Sequence, residues 1–176
     1  MKIRLAWLAA VLTVVLAPGA QAADEWKTYR YPLYGFAAEY PTQPVPQDQK
    51  IDPKRLIRNI QYWSDLGEVA YGVNAALFHH NVIAGSPPDK QIQNVLEGVR
   101  GSLKCSIRSQ RAITFPGGTA REIIFEKCPA PLVDAKQRIL IVGDWLYQSL
   151  VLGSKPGIPE SPDTKRFLES FSVVAQ

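Results

Sequence analysis

Residues 105–128 read Cys105-Ser-Ile-Arg-Ser-Gln-Arg-Ala-Ile-Thr-Phe115-Pro-Gly-Gly-Thr119-Ala-Arg-Glu-Ile-Ile-Phe-Glu-Lys-Cys128. Two runs with β-branched and aromatic side chains flank Pro116-Gly117-Gly118, a turn signal. A turn that tight can only join antiparallel strands. Centring it between Pro116 and Gly117 sets Cys105 against Cys128, Arg111 against Glu122 and Ile113 against Ala120, neighbours that suit one another. Cys105 and Cys128 are the only cysteines, and the register predicts that they form a disulfide. Closing a separation of 23 positions contributes about 3–4 kcal/mol through the denatured chain's lost entropy. Zinc is a poor alternative, because neither cysteine has a second one two to four residues away and no histidine lies near in sequence. A redox pair would instead be Cys-x-x-Cys at a helix start.

The same pattern continues outward. Arg138–Val142 and Trp145–Leu152 form a second hairpin about Gly143-Asp144, with continuous apolar stretches expected of central strands covered on both faces. Beyond it, Ser161 and Pro162 read as the cap and first turn of a short helix, whose apolar side is Thr164, Phe167, Leu168 and Phe171. Ser172-Val173-Val174 closes the chain as an edge strand. Upstream, Ser86-Pro87-Pro88-Asp89 predicts another helix start, with Ser86 as cap and Pro87 in the first turn. Ile92, Val95, Leu96 and Val99 form its buried stripe, and Gly101 its end. Arg55–Trp63 and Glu68–Phe78 read as a long hairpin, and 26–31 and 36–40 as two short strands. Pro41 to Asp52, with three prolines, reads as a surface loop. Six to eight strands in consecutive hairpins and two helices predict an α+β fold, an antiparallel sheet with helices packed on it.

The first residues belong to an address. Lys2 and Arg4 precede an apolar run from Leu5 to Leu16, Pro18-Gly19 break it, and Ala20-Gln21-Ala22 fits signal peptidase. Cleavage after Ala22 removes 22 of 176 residues and leaves 154, one domain spanning 23–176. The apolar run is short for a membrane span, which needs about 20 residues, and no later stretch is better. The expected location is the periplasm or the exterior, where a disulfide is stable. Lys2 and Arg4 leave with the leader, so the formal charge falls from +4 to +2. That excludes a polybasic nucleic-acid binder, and 20% charged with 10% aromatic residues excludes wholesale disorder.

No catalytic set, metal site or cofactor site emerges from spacing. His79 and His80 are sequence neighbours whose side chains diverge on a strand, so they read as a solvated strand end or loop. Gly117-Gly118-Thr119 lacks the lysine and length of a phosphate loop, and no serine sits in a nucleophile elbow. Glu122 and Glu126 share a strand, and the register gives Glu122 a salt bridge to Arg111 rather than acid–base work. Arg100, Lys104, Arg108 and Arg111 hint at a basic patch, with acids interspersed. Aromatic residues crowd the first strands, some as core and others as candidates for a groove. The candidate binding surface is therefore Trp26, Tyr29, Tyr34, His79, His80, Arg108, Arg111, Trp145 and Tyr147.

Four segments taken in order carry a resemblance. Tyr34-Gly-Phe-Ala-Ala-Glu-Tyr-Pro41, Gly117-Gly-Thr-Ala-Arg-Glu122, Arg138 through Asp144-Trp-Leu-Tyr147, and Phe167-Leu-Glu-Ser-Phe171 resemble the Mog1/PsbP-like family. The resemblance covers nearly the whole chain after the leader. It implies a central antiparallel sheet flanked by helices, an α/β/α sandwich, and no common catalytic residues. Characterised members include a small-GTPase-binding protein and an extrinsic subunit of the photosynthetic oxygen-evolving complex; neither interface maps onto residues of this chain. The expectation is a non-catalytic binding or accessory protein of the cell envelope, with a protein or small-molecule partner. Two alternatives stand beside it. One is a hydrolytic or metal-dependent enzyme with a site assembled from distant segments; the other is a structural or stress-related stabiliser of the envelope.

Overall fold

The structure, a computed structural model, describes residues 25–175; the predicted signal peptide and its cleavage point lie outside them. Ten strands and three α-helices follow one another. They are β1 (Lys27–Tyr31), β2 (Phe36–Tyr40), β3 (Val45–Asp48), β4 (Leu56–Asp65), β5 (Val69–Phe78), α1 (His80–Ile83) and α2 (Pro88–Leu103). Then come β6 (Ser106–Phe115), β7 (Gly118–Glu126), β8 (Asp134–Val142), β9 (Trp145–Gly153), α3 (Pro162–Ser170) and β10 (Ser172–Val173). Seven strands make the central sheet in the order β3-β4-β5-β9-β8-β7-β6, and β1-β2-β10 make a small second sheet. All the pairings are antiparallel. The fold is thus the expected α+β sandwich. The second cover is composite, since α3 and the three-stranded sheet share one face while α2 packs on the other.

Side-chain alternation divides the core between the two faces. Ile60, Tyr71, Val73, Ala75, Leu140, Tyr147 and Val151 point toward the small sheet and α3, meeting Phe36, Tyr40, Phe167, Leu168 and Phe171. On the other face, Ile123, Phe125, Ile139, Ile141 and Leu146 meet Ile92 and Leu96 of α2. Burial on both faces is why β8 and β9 read as continuous apolar runs.

Several boundaries differ from the sequence reading for identifiable reasons. Residues 41–52 are not all loop, because Val45–Asp48 pairs with β4. Pro46 is accommodated there because β3 is the edge of the sheet, where a missing N–H breaks nothing essential. The helix expected from Pro87 starts at Pro88, and Ser86 does not cap it. Pro87 precedes another proline, which forces it out of the helical region to φ −56°, ψ 143°. The helix passes Gly101 and ends at Lys104, which takes a left-handed φ of 56°. His79 and His80 are not a strand end or loop alone: His79 caps the short helix that His80 opens. By contrast α3 begins as read, with the Ser161 hydroxyl accepting from Thr164 N at 3.1 Å.

The hairpin at residues 105–128 has the predicted pairs Arg111–Glu122 and Ile113–Ala120. A bulge between Ile107 and Ser109 shifts the register by one toward the open end. The expected direct Cys105–Cys128 cross-strand pair is therefore offset by one residue, since the shifted ladder runs Ile107–Phe125 and Ser106–Glu126, yet Cys105 and Cys128 form the disulfide just beyond it. Among the described residues no helix is long and apolar enough to cross a membrane.

Candidate binding groove on the open half of the central sheet

The chain leaves β5 in the middle of the sheet and must reach β6 at its far edge. Helix α2 makes that crossing, so it lies over β7 and β8. On the same face, Leu56, Ala76 and Phe78 at one end of β4 and β5 are packed in the core with Ile83, while Gln61, Trp63, Gly72 and Asn74 lie farther along these strands. Between that stretch and the flank of α2 runs a groove of about 330 Å³. Val95, Gly98, Val99 and Ser102 form its wall, and the sheet forms its floor.

A polar floor is what an uncovered sheet face requires, and here amides supply it. Strand register places Gln61 opposite Asn74 and Asn74 opposite Gln148, while Trp63, Gly72, Leu150 and Gln137 form the next row. Gln137 Nε2 donates to Gln148 Oε1 at 2.8 Å, Gln148 Nε2 to Asn74 Oδ1 at 3.1 Å, and Asn74 Nδ2 to Asn59 Oδ1 at 2.8 Å. The ladder crosses four strands. Gln137 is completely buried, and its Oε1 has no hydrogen-bond partner. An unpaired buried acceptor costs about 1–3 kcal/mol, so its retention calls for an explanation.

Trp63 lies flat on the floor. A Cβ built on Gly72 would sit 2.5 Å from the six-membered ring of the indole, so only glycine admits the ring at that position. The indole Nε1–H donates to Gln61 Oε1 at 2.9 Å, which fixes the ring's rotation. Trp63 remains partly exposed and belongs to neither core. None of the side chains lining the groove titrates, and Ser102, the only hydroxyl, donates to the backbone carbonyl of Gly98 at 2.9 Å.

No protein-family model matches the sequence, and a search of curated proteins finds no match. Among solved structures, the chain is similar to the solution structure of cyanobacterial PsbP (CyanoP) from Synechocystis sp. PCC 6803. The match has a TM-score of 0.58 at 12% identity, over 89% of this chain and 96% of that one. The fold is PsbP-like. The segments that carried the sequence resemblance converge in this PsbP-like sandwich. Phe36, Tyr147 and Phe171 pack as one aromatic cluster with centroids 5.5–6.3 Å apart. What the sequence displays of the fold is a packing pattern between the two sheets.

The structure brings Tyr34, Trp145 and Tyr147 together but does not gather the nine sequence candidates at one site. Trp26 packs edge-on against Tyr71 at 5.3 Å, Tyr29 against Tyr40 at 6.0 Å, and Tyr34 against Tyr62 at 6.0 Å. Trp145 stacks on Tyr147 at 5.6 Å. Tyr147 is 1% exposed, and its hydroxyl donates to the carbonyl of Tyr34 at 3.1 Å, so it locks the small sheet to the large one and offers no surface. His80 Nδ1 lies 2.9 Å from Asp144 Oδ1 at the end of the sheet, and His79 Nε2 lies 3.1 Å from the carbonyl of Pro53. Arg108 is paired with Glu160 and Arg111 with Glu122. Among the described residues no group of three or more histidine, cysteine, aspartate or glutamate side chains is placed to hold a metal ion. None of the nine candidates lines the groove.

Among the described residues Glu122 is the most heavily engaged charge. Though 4% exposed, it accepts from Arg111 Nη2 at 2.8 Å and Arg138 Nε at 2.9 Å, with Lys136 Nζ at 3.4 Å. Burial alone would push its carboxyl up. The two arginine hydrogen bonds and the charges of Lys136 and Arg138 outweigh that and hold it below the usual carboxylate range. Arg138 Nη1 also donates to the carbonyl of Leu168 at 2.8 Å, near the C-terminus of α3, where a cation is favourable. A cavity of about 210 Å³ beside it is lined by Leu140, Tyr147, Leu168 and Phe171. Its charged members are Arg138, already engaged twice, and Glu169. A wider crevice of about 440 Å³ lies at Ile83–Pro88. Its one polar long side chain, Gln91, is occupied by the carbonyls of Ile83 and Ser86.

Sequence reasoning missed Trp63, Asn74, Gln137 and Gln148 as site residues. A signal was present at Gln148, which interrupts a strand otherwise patterned for burial, whereas Gln137, between Lys136 and Arg138 and ahead of the predicted strand, carried none. That signal lacked meaning until strand order placed the two side by side.

Proposed function

We propose that the chain is an exported, single-domain accessory protein, released after Ala22 to the periplasm or exterior, which binds without catalysis through the groove beside α2. The observation that carries this is the groove's lining: neutral amides, an indole and apolar side chains around an unpartnered buried carbonyl. Acid–base chemistry needs a titrating group within reach of substrate, and nucleophilic chemistry needs an activated nucleophile. The lining contains no titrating group, and its single hydroxyl is turned to its own helix. Preformed concavity with a few convergent polar atoms is what small-ligand recognition uses. The cysteine bridge accords with an oxidising compartment.

The test is a ¹H–¹⁵N spectrum of the exported chain with the small-molecule fraction of a cell-envelope extract. Shifts are expected at the side-chain amides of Gln61, Asn74, Gln137 and Gln148 and at the Trp63 indole, with the extract's composition unchanged on incubation. Shifts confined to other regions, no shifts at all, or an extract component consumed in proportion to protein would overturn the reading.

A further inference from the structure

The face of the central sheet opposite the groove carries a row of polar side chains. Cross-strand pairing sets Arg111 beside Glu122, Glu122 beside Arg138, and Arg138 beside Ser149. Glu122 is the one carboxylate of the row and is shared by Arg111, Lys136 and Arg138, so two positive charges are in excess. A guanidinium has five N–H donors. In Arg138, Nε donates to Glu122 Oε2 and Nη1 to the carbonyl of Leu168, while Nη2 has no partner among the described residues. Ser149 is 3% exposed, and its hydroxyl likewise has no hydrogen-bond partner among the described residues. The unpaired side-chain atoms sealed from solvent there are Tyr40 Oη and Gln137 Oε1. Ser149 Oγ is not among them and opens on the cavity of about 210 Å³ that Ser149 and Arg138 both line.

We infer that this cavity binds a small apolar monocarboxylate. Its carboxylate accepts from Arg138 Nη2 and the Ser149 hydroxyl, and its body, a single ring or short alkyl chain, lies against Leu140, Leu168 and Phe171. The site is on the other face of the sheet from the groove and is independent of it. Leu140 follows Arg138 by two residues on β8, so the polar and apolar ends stand about 7 Å apart, the reach of one ring bearing a carboxylate on a short arm. The size agrees, since an apolar cavity of about 150 Å³ holds benzene and this one is larger. The excess positive charge selects an anion, and hydrogen bonds to a charged group are the stronger kind. A small inorganic anion would lose its hydration against the apolar walls. A hydrocarbon would leave both Nη2 and the serine hydroxyl unpaired. Glu169, the acidic side chain of the lining, is exposed, so water screens its repulsion.

Phenylacetate and hexanoate are the probes, each titrated into the exported chain beside its neutral amide and located by intermolecular NOEs to the Leu140 and Leu168 methyl groups. At least one acid is expected to bind saturably with those NOEs, about tenfold or more tightly than its amide. Ser149→Ala removes an unpaired hydroxyl, so the fold tolerates it, and lowers the acid's affinity about tenfold, as the loss of one hydrogen bond to a charged group implies. Glu169→Gln, at an exposed position, removes the opposing charge and raises the acid's affinity about two- to threefold while leaving the amide's unchanged. Equal affinity for acid and amide, or unchanged affinity in Ser149→Ala, overturns the inference. So does the absence of saturable binding by either acid, or NOEs to Val95 and Val99 of the groove in place of Leu140 and Leu168.

Discussion

Glu122 shows how a single residue can look like chemistry and serve packing. Its carboxylate sits within a row across the sheet, between Arg111 on one strand and Arg138 on the next. Replacing Glu122 by Gln leaves Arg138 and Lys136 facing each other without the anion between them. Breaking a buried pair costs about 3–5 kcal/mol, and with Arg111 reaching solvent about 2–3 kcal/mol of stability at pH 7 is the expected loss. The sign of the pH dependence follows from the lowered carboxyl. In the native state it binds protons more weakly than in the unfolded chain, so its contribution is intact above the ordinary carboxylate range. That contribution is lost as pH falls through 4.5 toward the lower native value. Urea unfolding at pH 7, 5 and 3 should show this acid loss in the parent and its reduction in Glu122→Gln; parallel curves would remove the residue from the account.

At the scale of elements, the β6–β7 hairpin is the outer edge of the sheet and holds one neighbour only, β8 through β7. Its open end is bulged, and the residues before both cysteines, Lys104 and Lys127, have left-handed φ values of 56° and 53°. A covalent link at that end restrains what the ladder does not. Replacing Cys105 and Cys128 together by Ser should lower unfolding stability by about 3–4 kcal/mol, since it frees a loop of 23 positions in the denatured chain. A shift in the denaturant midpoint measures it, and a midpoint unchanged within error would show the hairpin self-sufficient. Legibility varied between elements for local reasons. Helix α3 could be read from Ser161 and Pro162 because cap and first-turn residue act on the same few atoms. The start of α2 slipped by one residue because Pro87 and Pro88 compete for the first turn, and the backbone rule for the residue before proline decided it. β3 was invisible because a polar, proline-bearing segment becomes a strand only through pairing with β4.

For the whole molecule, the joint between the two sheets is built of tyrosines. Burial pushes up Tyr31, Tyr40 and Tyr147, with Tyr71 pushed up to about 12, and the hydroxyl of Tyr147 is donated across the joint. These groups hold their protons more tightly folded than unfolded. Stability is therefore unaffected by them below pH 10 and declines as pH rises above it toward the native values. Tyrosinate absorbance and near-UV dichroism should change together in an alkaline titration; phenolate appearing well before the tertiary signal is lost would contradict the buried joint. What the sequence by itself determined is local: the Pro116-Gly117 turn and the pairs beside it, the cysteine partnership, the apolar stripes of α2 and α3, and the alternation that makes strands. These follow from backbone restrictions and side-chain period, which act over a few residues. Tertiary structure alone decided that β10 joins β2 from the far end of the chain, that a second sheet shares one face with α3, and that α2 lies over β7 and β8 on the other. It also decided the groove, because Trp63, Asn74, Gln137 and Gln148 lie on four strands. Their meeting depends on strand order, which is set by how the whole chain buries its apolar faces and not by any segment's own preference.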